Sequence, residues 1–174
     1  MLTPSTSAPI EPLDGGRDVE QPEASVDPLT PQQFKRMLVE QGFEIFRTKG
    51  DEITLAERVR DNLIMDSGVR VRCSVPLEVR VVLRAQRTDF PSEDESALFD
   101  GVRRLAAPAT EAGFEEVTTV VVPVRDPVDA ERTLDTHYEV MFRRVVFELA
   151  AVVETIRFAL VLEKTLVPRR LQST

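Results

Sequence analysis

Val69–Gln86, VRVRCSVPLEVRVVLRAQ, decides how the fold is read. Val69, Val71, Cys73, Val75, Leu77, Val79, Val81, Leu83 and Ala85 share one parity. Arg70, Arg72, Ser74, Pro76, Glu78, Arg80, Arg84 and Gln86 share the other, with Val82 the exception. Successive side chains of an extended chain point to opposite faces, so this period of two specifies a sheet with one apolar and one charged face. The phase survives Pro76, and no Asn-Gly or Asp-Gly pair marks a tight hairpin there. The segment therefore reads as one long strand bent at Pro76, with a wider hairpin around Ser74–Leu77 as the alternative. Proline lacks the ladder N–H, so an edge position near the bend is expected.

Upstream, Thr30-Pro31-Gln32-Gln33 is a capping box with proline at the first helical position, and Phe34, Met37 and Leu38 form an apolar face. This predicts a helix over 31–41, closed by Gly42. A strand over 43–48 follows, Lys49-Gly50-Asp51 is turn material, and Glu52–Leu55 can begin a hairpin partner. Ala56, Val59, Leu63 and Ile64 then recur at helical spacing behind a Thr54/Glu57 capping signal, predicting a helix over 55–66 stopped by Asp66-Ser67-Gly68.

Downstream, Ser92 and Glu95 stand at capping-box spacing ahead of Leu98, Val102, Leu105 and Ala109, a helical stripe that Pro108 should break and Gly113 should close. Val117–Val124 is apolar at both parities, as in an internal strand buried on both sides. The aromatic and β-branched residues of 136–146 favour a strand, followed by a helix over 147–165; one long helix is the alternative. The class is α+β: a mainly antiparallel sheet with helices packed on one face. The order resembles that of small dimeric chaperone-like α+β domains, such as secretion chaperones, as a likeness of fold carried by no motif.

Composition divides the chain. Residues 1–29 hold five prolines, six acids, one base and no aromatic residue, too little apolar surface to offset ordering entropy. They read as a disordered tail ahead of one domain over 30–167, with a short C-terminal tail over 168–174. The net charge is −8, which argues against general DNA binding. One cysteine, Cys73, and one histidine, His137, exclude an internal disulfide and a Cys/His zinc site within one chain. No cofactor is expected. No secretory signal is expected, and charges at Glu148, Glu154 and Arg157 interrupt the apolar stretch 145–162, so no membrane span is expected and the default location is cytoplasmic. Arginine outnumbers lysine 19 to 3, which reads as codon bias of a GC-rich bacterial genome.

No catalytic or metal site is predicted. Cys73 lies on the apolar parity, where a thiol is inert. His137 has acids beside it at Asp135 and Glu139, the basis of a minor enzymatic reading. Glu93–Glu95 suit a helix start without further role. Asp126, Asp129 and Glu131 lack the spacing of a calcium loop, and no phosphate-binding glycine motif is present. The candidate binding residues are Arg70, Arg72, Arg80 and Arg84, a row of guanidiniums suited to an acidic protein segment or a phosphate. The acidic tail is a candidate cover for that row. The helix after 146 is apolar nearly all round, which predicts self-association as a homodimer through Phe147, Ala151, Phe158 and Leu162. The expected function is a non-enzymatic protein-interaction module: an adaptor, chaperone-like factor or assembly component. The alternative is a regulator binding a small anionic or phosphorylated ligand through the arginine face.

Overall fold

The computed structural model describes residues 29–168; the two predicted tails lie outside them, save Leu29 and Pro168. Helix α1 (Pro31–Glu40) begins on the expected capping box. The Thr30 hydroxyl accepts from the Gln33 amide at 3.3 Å, and the Gln33 side chain accepts from the Thr30 amide at 2.9 Å. Phe34 and Leu38, one turn apart, are fully buried. Gly42, at φ 85°, ends the helix in the left-handed region that suits glycine.

Strands β1 (Ile45–Lys49), β2 (Glu52–Arg60), β3 (Leu63–Arg72) and β4 (Leu77–Gln86) form an antiparallel meander. A 3-10 turn (Arg87–Asp89) leads to α2 (Glu95–Leu105) and α3 (Ala107–Glu111). The hairpin β5 (Glu115–Arg125) and β6 (Thr133–Val146) follows, then α4 (Leu149–Val161) and the short β7 (Thr165–Leu166). The sheet order is β1-β2-β3-β4-β6-β5, antiparallel throughout; β7 pairs parallel to β4 at Arg84 and Ala85.

One parity of the central strands meets the helices. Val69, Val71, Val79, Val81, Leu83, Ala85, Val140 and Phe142 join Phe34, Leu38, Leu98, Val102, Val152, Ile156 and Ala159 in a single core. At about 1.5–3 kcal/mol for each large side chain, this face is the main source of stability. The other face of the sheet carries no helix, so the α+β expectation with helices on one face holds.

Four expectations change. The alternation over 69–86 belongs to two strands, joined by a turn over 73–76, so the alternative hairpin is the correct reading. The cross-strand pairs Val71–Val79 and Val69–Val81 join odd residues to odd, so the phase passes through the turn unbroken and does not separate a hairpin from a straight strand. Pro76 sits in that turn rather than in a ladder, and β4 is interior, between β3 and β6.

The predicted helix over 55–66 is instead the far half of the β2–β3 hairpin, with Arg60 opposite Leu63 across Asp61-Asn62. Its apolar residues are not a buried stripe: Val59, Leu63 and Ile64 are exposed. Third, β5 is an edge strand, exposed at most positions, rather than an internal one. An apolar run reports affinity for burial without saying what does the burying. Fourth, α2 is capped by Asp94, whose carboxylate accepts from Ala97 N at 2.8 Å, rather than by Ser92. The break at Pro108 is found where expected, between α2 and α3. Residues 136–146 lie in strand β6, as favoured.

Candidate functional site

Strand register brings the basic residues of the helix-free face together. Arg47 lies opposite Thr54, Thr54 opposite Arg70, Arg70 opposite Arg80, and Arg80 opposite Arg143. Neighbouring strands lie about 4.8 Å apart, so this row places three guanidinium stems side by side across β3, β4 and β6. Like charges directly opposite each other repel. The next row along the strands supplies the counter-charges, with Glu52 opposite Arg72 and Arg72 opposite Glu78.

The result is a chain of alternating sign. Glu52 reaches Arg70 at 3.9 Å and Arg80 at 3.5 Å. Glu78 takes two hydrogen bonds from Arg80, at 2.6 and 3.0 Å, and lies 3.5 Å from Arg143. Three arginines thus share two glutamates. Arg72 pairs separately with Asp51 at 2.8 Å, and that hydrogen bond holds the Asp51 carboxyl below the usual carboxylate range.

Arg84 stands apart. Glu139 is opposite it in register, yet Arg84 makes no ion pair among the described residues, and its buried Nε has no hydrogen-bond partner; the Arg70 Nε is in the same position. Val82, flanked on this face by Arg80, Arg84 and Met141, is only 6% exposed although no helix covers it. Long arginine stems can shield apolar surface in this way.

All four arginines expected to bind, Arg70, Arg72, Arg80 and Arg84, lie on this face. The sequence reading missed Arg47 and Arg143, which need the strand order to be placed, and Glu52, which needs the β2–β3 register. Three cavities among the described residues lie elsewhere and are lined by none of these arginines. The face is only partly open to solvent: the Arg70 and Arg80 side chains are 24% and 19% exposed.

The other candidates separate. Phe147 is exposed; Ala151, Phe158 and Leu162 are half-buried against the core, with the Phe158 ring stacked on Phe114 at 6.1 Å between centroids. Phe147 lines an apolar cavity of about 420 Å³ with Cys73, Leu77, Val146 and Leu149. Burial, reinforced by the Asp51 charge, pushes the Cys73 thiol up to about 11. Cys73 and His137 flank opposite ends of β4, whose Leu77 and Gln86 pair with Val146 and His137, a separation of roughly 30 Å along the strand.

His137 lies 3.6 Å from Asp135, whose carboxylate accepts from the Thr88 amide, the Thr88 hydroxyl and the Thr136 amide. Burial alone would raise the Asp135 pKa, but those hydrogen bonds and His137 outweigh it and the net shift is downward. The hydroxyl addresses the carboxylate rather than the imidazole, so the order needed to activate a nucleophile is missing. Asp126 and Asp129 accept from the amides of their own loop, at Val128 and Glu131. Among the described residues no helix is long and apolar enough to cross a membrane. No protein-family model matches the chain, and no curated protein or solved structure shows significant similarity to it.

Proposed function

We propose that the chain is a non-enzymatic protein-interaction module (adaptor, chaperone-like factor or assembly component) that self-associates and receives an acidic segment of a protein partner on its helix-free sheet face, in a cytoplasmic setting. The observation that carries this reading is the row of Arg47, Arg70, Arg80 and Arg143 with Arg84 beside it. An extended chain, which can supply several carboxylates in sequence, suits a row of guanidiniums on neighbouring strands better than a single small molecule does. Arg84 brings a guanidinium that makes no ion pair among the described residues, and hydrogen bonds to charged groups are the strong ones.

The unpaired charge of Arg84 equally supports the second reading, a regulator that binds a small phosphorylated or carboxylate ligand. One titration separates the two. Labelled polyglutamate peptide is added to the full chain, with inorganic phosphate as competitor. Binding should weaken steeply with salt and fall about tenfold for each of Arg84→Gln and Arg143→Gln. Polyglutamate binding unaffected by either substitution, or absent at low salt, would contradict the acidic-partner reading. Displacement by low millimolar phosphate would favour the small-ligand one.

A further inference from the structure

The sheet has two edges of different character. β1 is five residues long and carries Arg47 and Lys49, short and charged as protected edges are. β5 is eleven residues long, and its stretch from Val117 to Val124 carries no charge. Val117, Val120 and Val121 are 44%, 46% and 41% exposed. Val120 lies opposite Glu139 and Val121 opposite Tyr138, so both faces of the strand are bare. Its ladder is regular from Thr118 to Val124, between register shifts at Glu116/Thr118 and Val124/Arg125, and Pro123 removes one donor; the uncharged stretch ahead of that proline is a template for another strand.

The strand itself indicates which partner fits. Glu115 and Glu116 stand at its start and Arg125 at its end. Glu116 is already held by Arg103 at 3.0 Å, so a second β5 running antiparallel brings Glu115 of each copy alongside Arg125 of the other; a parallel one sets like against like. Pro123 holds its place opposite Thr136 of β6, which a proline does when its nitrogen faces away from the partner strand. Residues two apart direct their amides to the same side, so the Val121 and Thr119 amides face the free edge.

We infer that β5 pairs antiparallel with β5 of a second copy of this chain, about a two-fold axis through Val120, joining two sheets into one. The inference rests on the self-association proposed above and gives it a surface. Thr119 of each copy exchanges backbone hydrogen bonds with the partner's Val121. Val120 faces its own counterpart at the non-hydrogen-bonded position.

Light scattering and cross-linking on the full chain test this. Wild type is expected at twice the 19.6 kDa chain mass, and Val120→Lys as a folded monomer, its fold checked by circular dichroism. In a Cys73→Ser background, Val120→Cys should form an intermolecular disulfide on mild oxidation, because such facing positions bring Cα atoms to about 4.5 Å. Thr48→Cys, on β1, should not. A dimer retained in Val120→Lys, together with no cross-link through Val120→Cys, overturns the pairing while leaving self-association intact. A monomer at every concentration overturns both.

Discussion

Cys73 lines the apolar cavity beside Leu77 and Val146, and burial there favours its neutral thiol over the thiolate. The unfolded thiol ionises near 9.0 and the folded one near 11, so the unfolded state sheds its proton first as pH rises. Stability is unaffected below the lower value, falls through the interval, and levels off above it at a loss on the order of 1–2 kcal/mol once solvent screening at this half-buried site is allowed for. Cys73→Ala should lack this alkaline decline, which thermal melts across that range will show. Alkylation of native Cys73 near neutral pH should be slow and should become fast in denaturant. Asp51 and Asp135 shift the other way: both are held below 3.8, so what they contribute is complete above that value and is lost as pH falls through their folded pKa.

Two glycines differ in the same instructive way. Gly68 has φ 74°, and a Cβ there would meet the Val82 carbonyl oxygen at 3.1 Å. Gly68→Ala should therefore cost about 1–3 kcal/mol, read from denaturant unfolding. Gly101, unexplained by any turn or helix end, lies where α2 meets Leu166 of β7, and a Cβ would come within 2.7 Å of Leu166 Cδ2. That atom is the end of a flexible, half-buried side chain, and alanine returns about 1 kcal/mol of helix propensity. Gly101→Ala should thus leave stability within about 1 kcal/mol of wild type while loosening β7.

At the scale of elements, what could be read in advance depended on whether a signal was local. The α1 capping box is a contact between residues three apart, and it is found as written. Thr30→Ala should cost about 1 kcal/mol and lower the melting temperature accordingly. The helix break at Pro108 and the extended conformation of 136–146 were legible for the same reason. The β2–β3 hairpin was not. Val59, Leu63 and Ile64 happen to fall at helical spacing, while the determinants of the strand are long-range, such as the Ser67 hydroxyl bonding Leu55 O at 2.9 Å.

For β5, the valines signalled burial, and only the strand order shows that the strand lies at an edge of the sheet. The candidate site divides likewise. The arginines of β3 and β4 were visible as one parity, whereas their union with Arg47 and Arg143, and their shared glutamates, arise from pairing between distant segments.

For the whole molecule, the sheet separates two jobs. One face builds the core with four helices, and the other carries the alternating chain Arg70–Glu52–Arg80–Glu78–Arg143. Removing one glutamate leaves neighbouring guanidiniums opposed without a shared counter-charge. Glu52→Gln and Glu78→Gln should each destabilise by about 1 kcal/mol, an effect that shrinks in high salt. The same substitutions raise the positive charge of the face, so binding of polyglutamate should tighten even as stability falls. A role confined to stability would not produce that opposition.

The partner face itself is tested most directly by the arginine Nε–H resonances of the full chain, followed by NMR while polyglutamate is added. Arg84 should move first and furthest, because it makes no ion pair among the described residues, with Arg70 and Arg143, each paired with a glutamate, following and the helices α1, α2 and α4 silent. Shifts confined to the helical side, or arginine signals that stay in place while the peptide binds, would contradict the assignment of the helix-free sheet face as the binding surface.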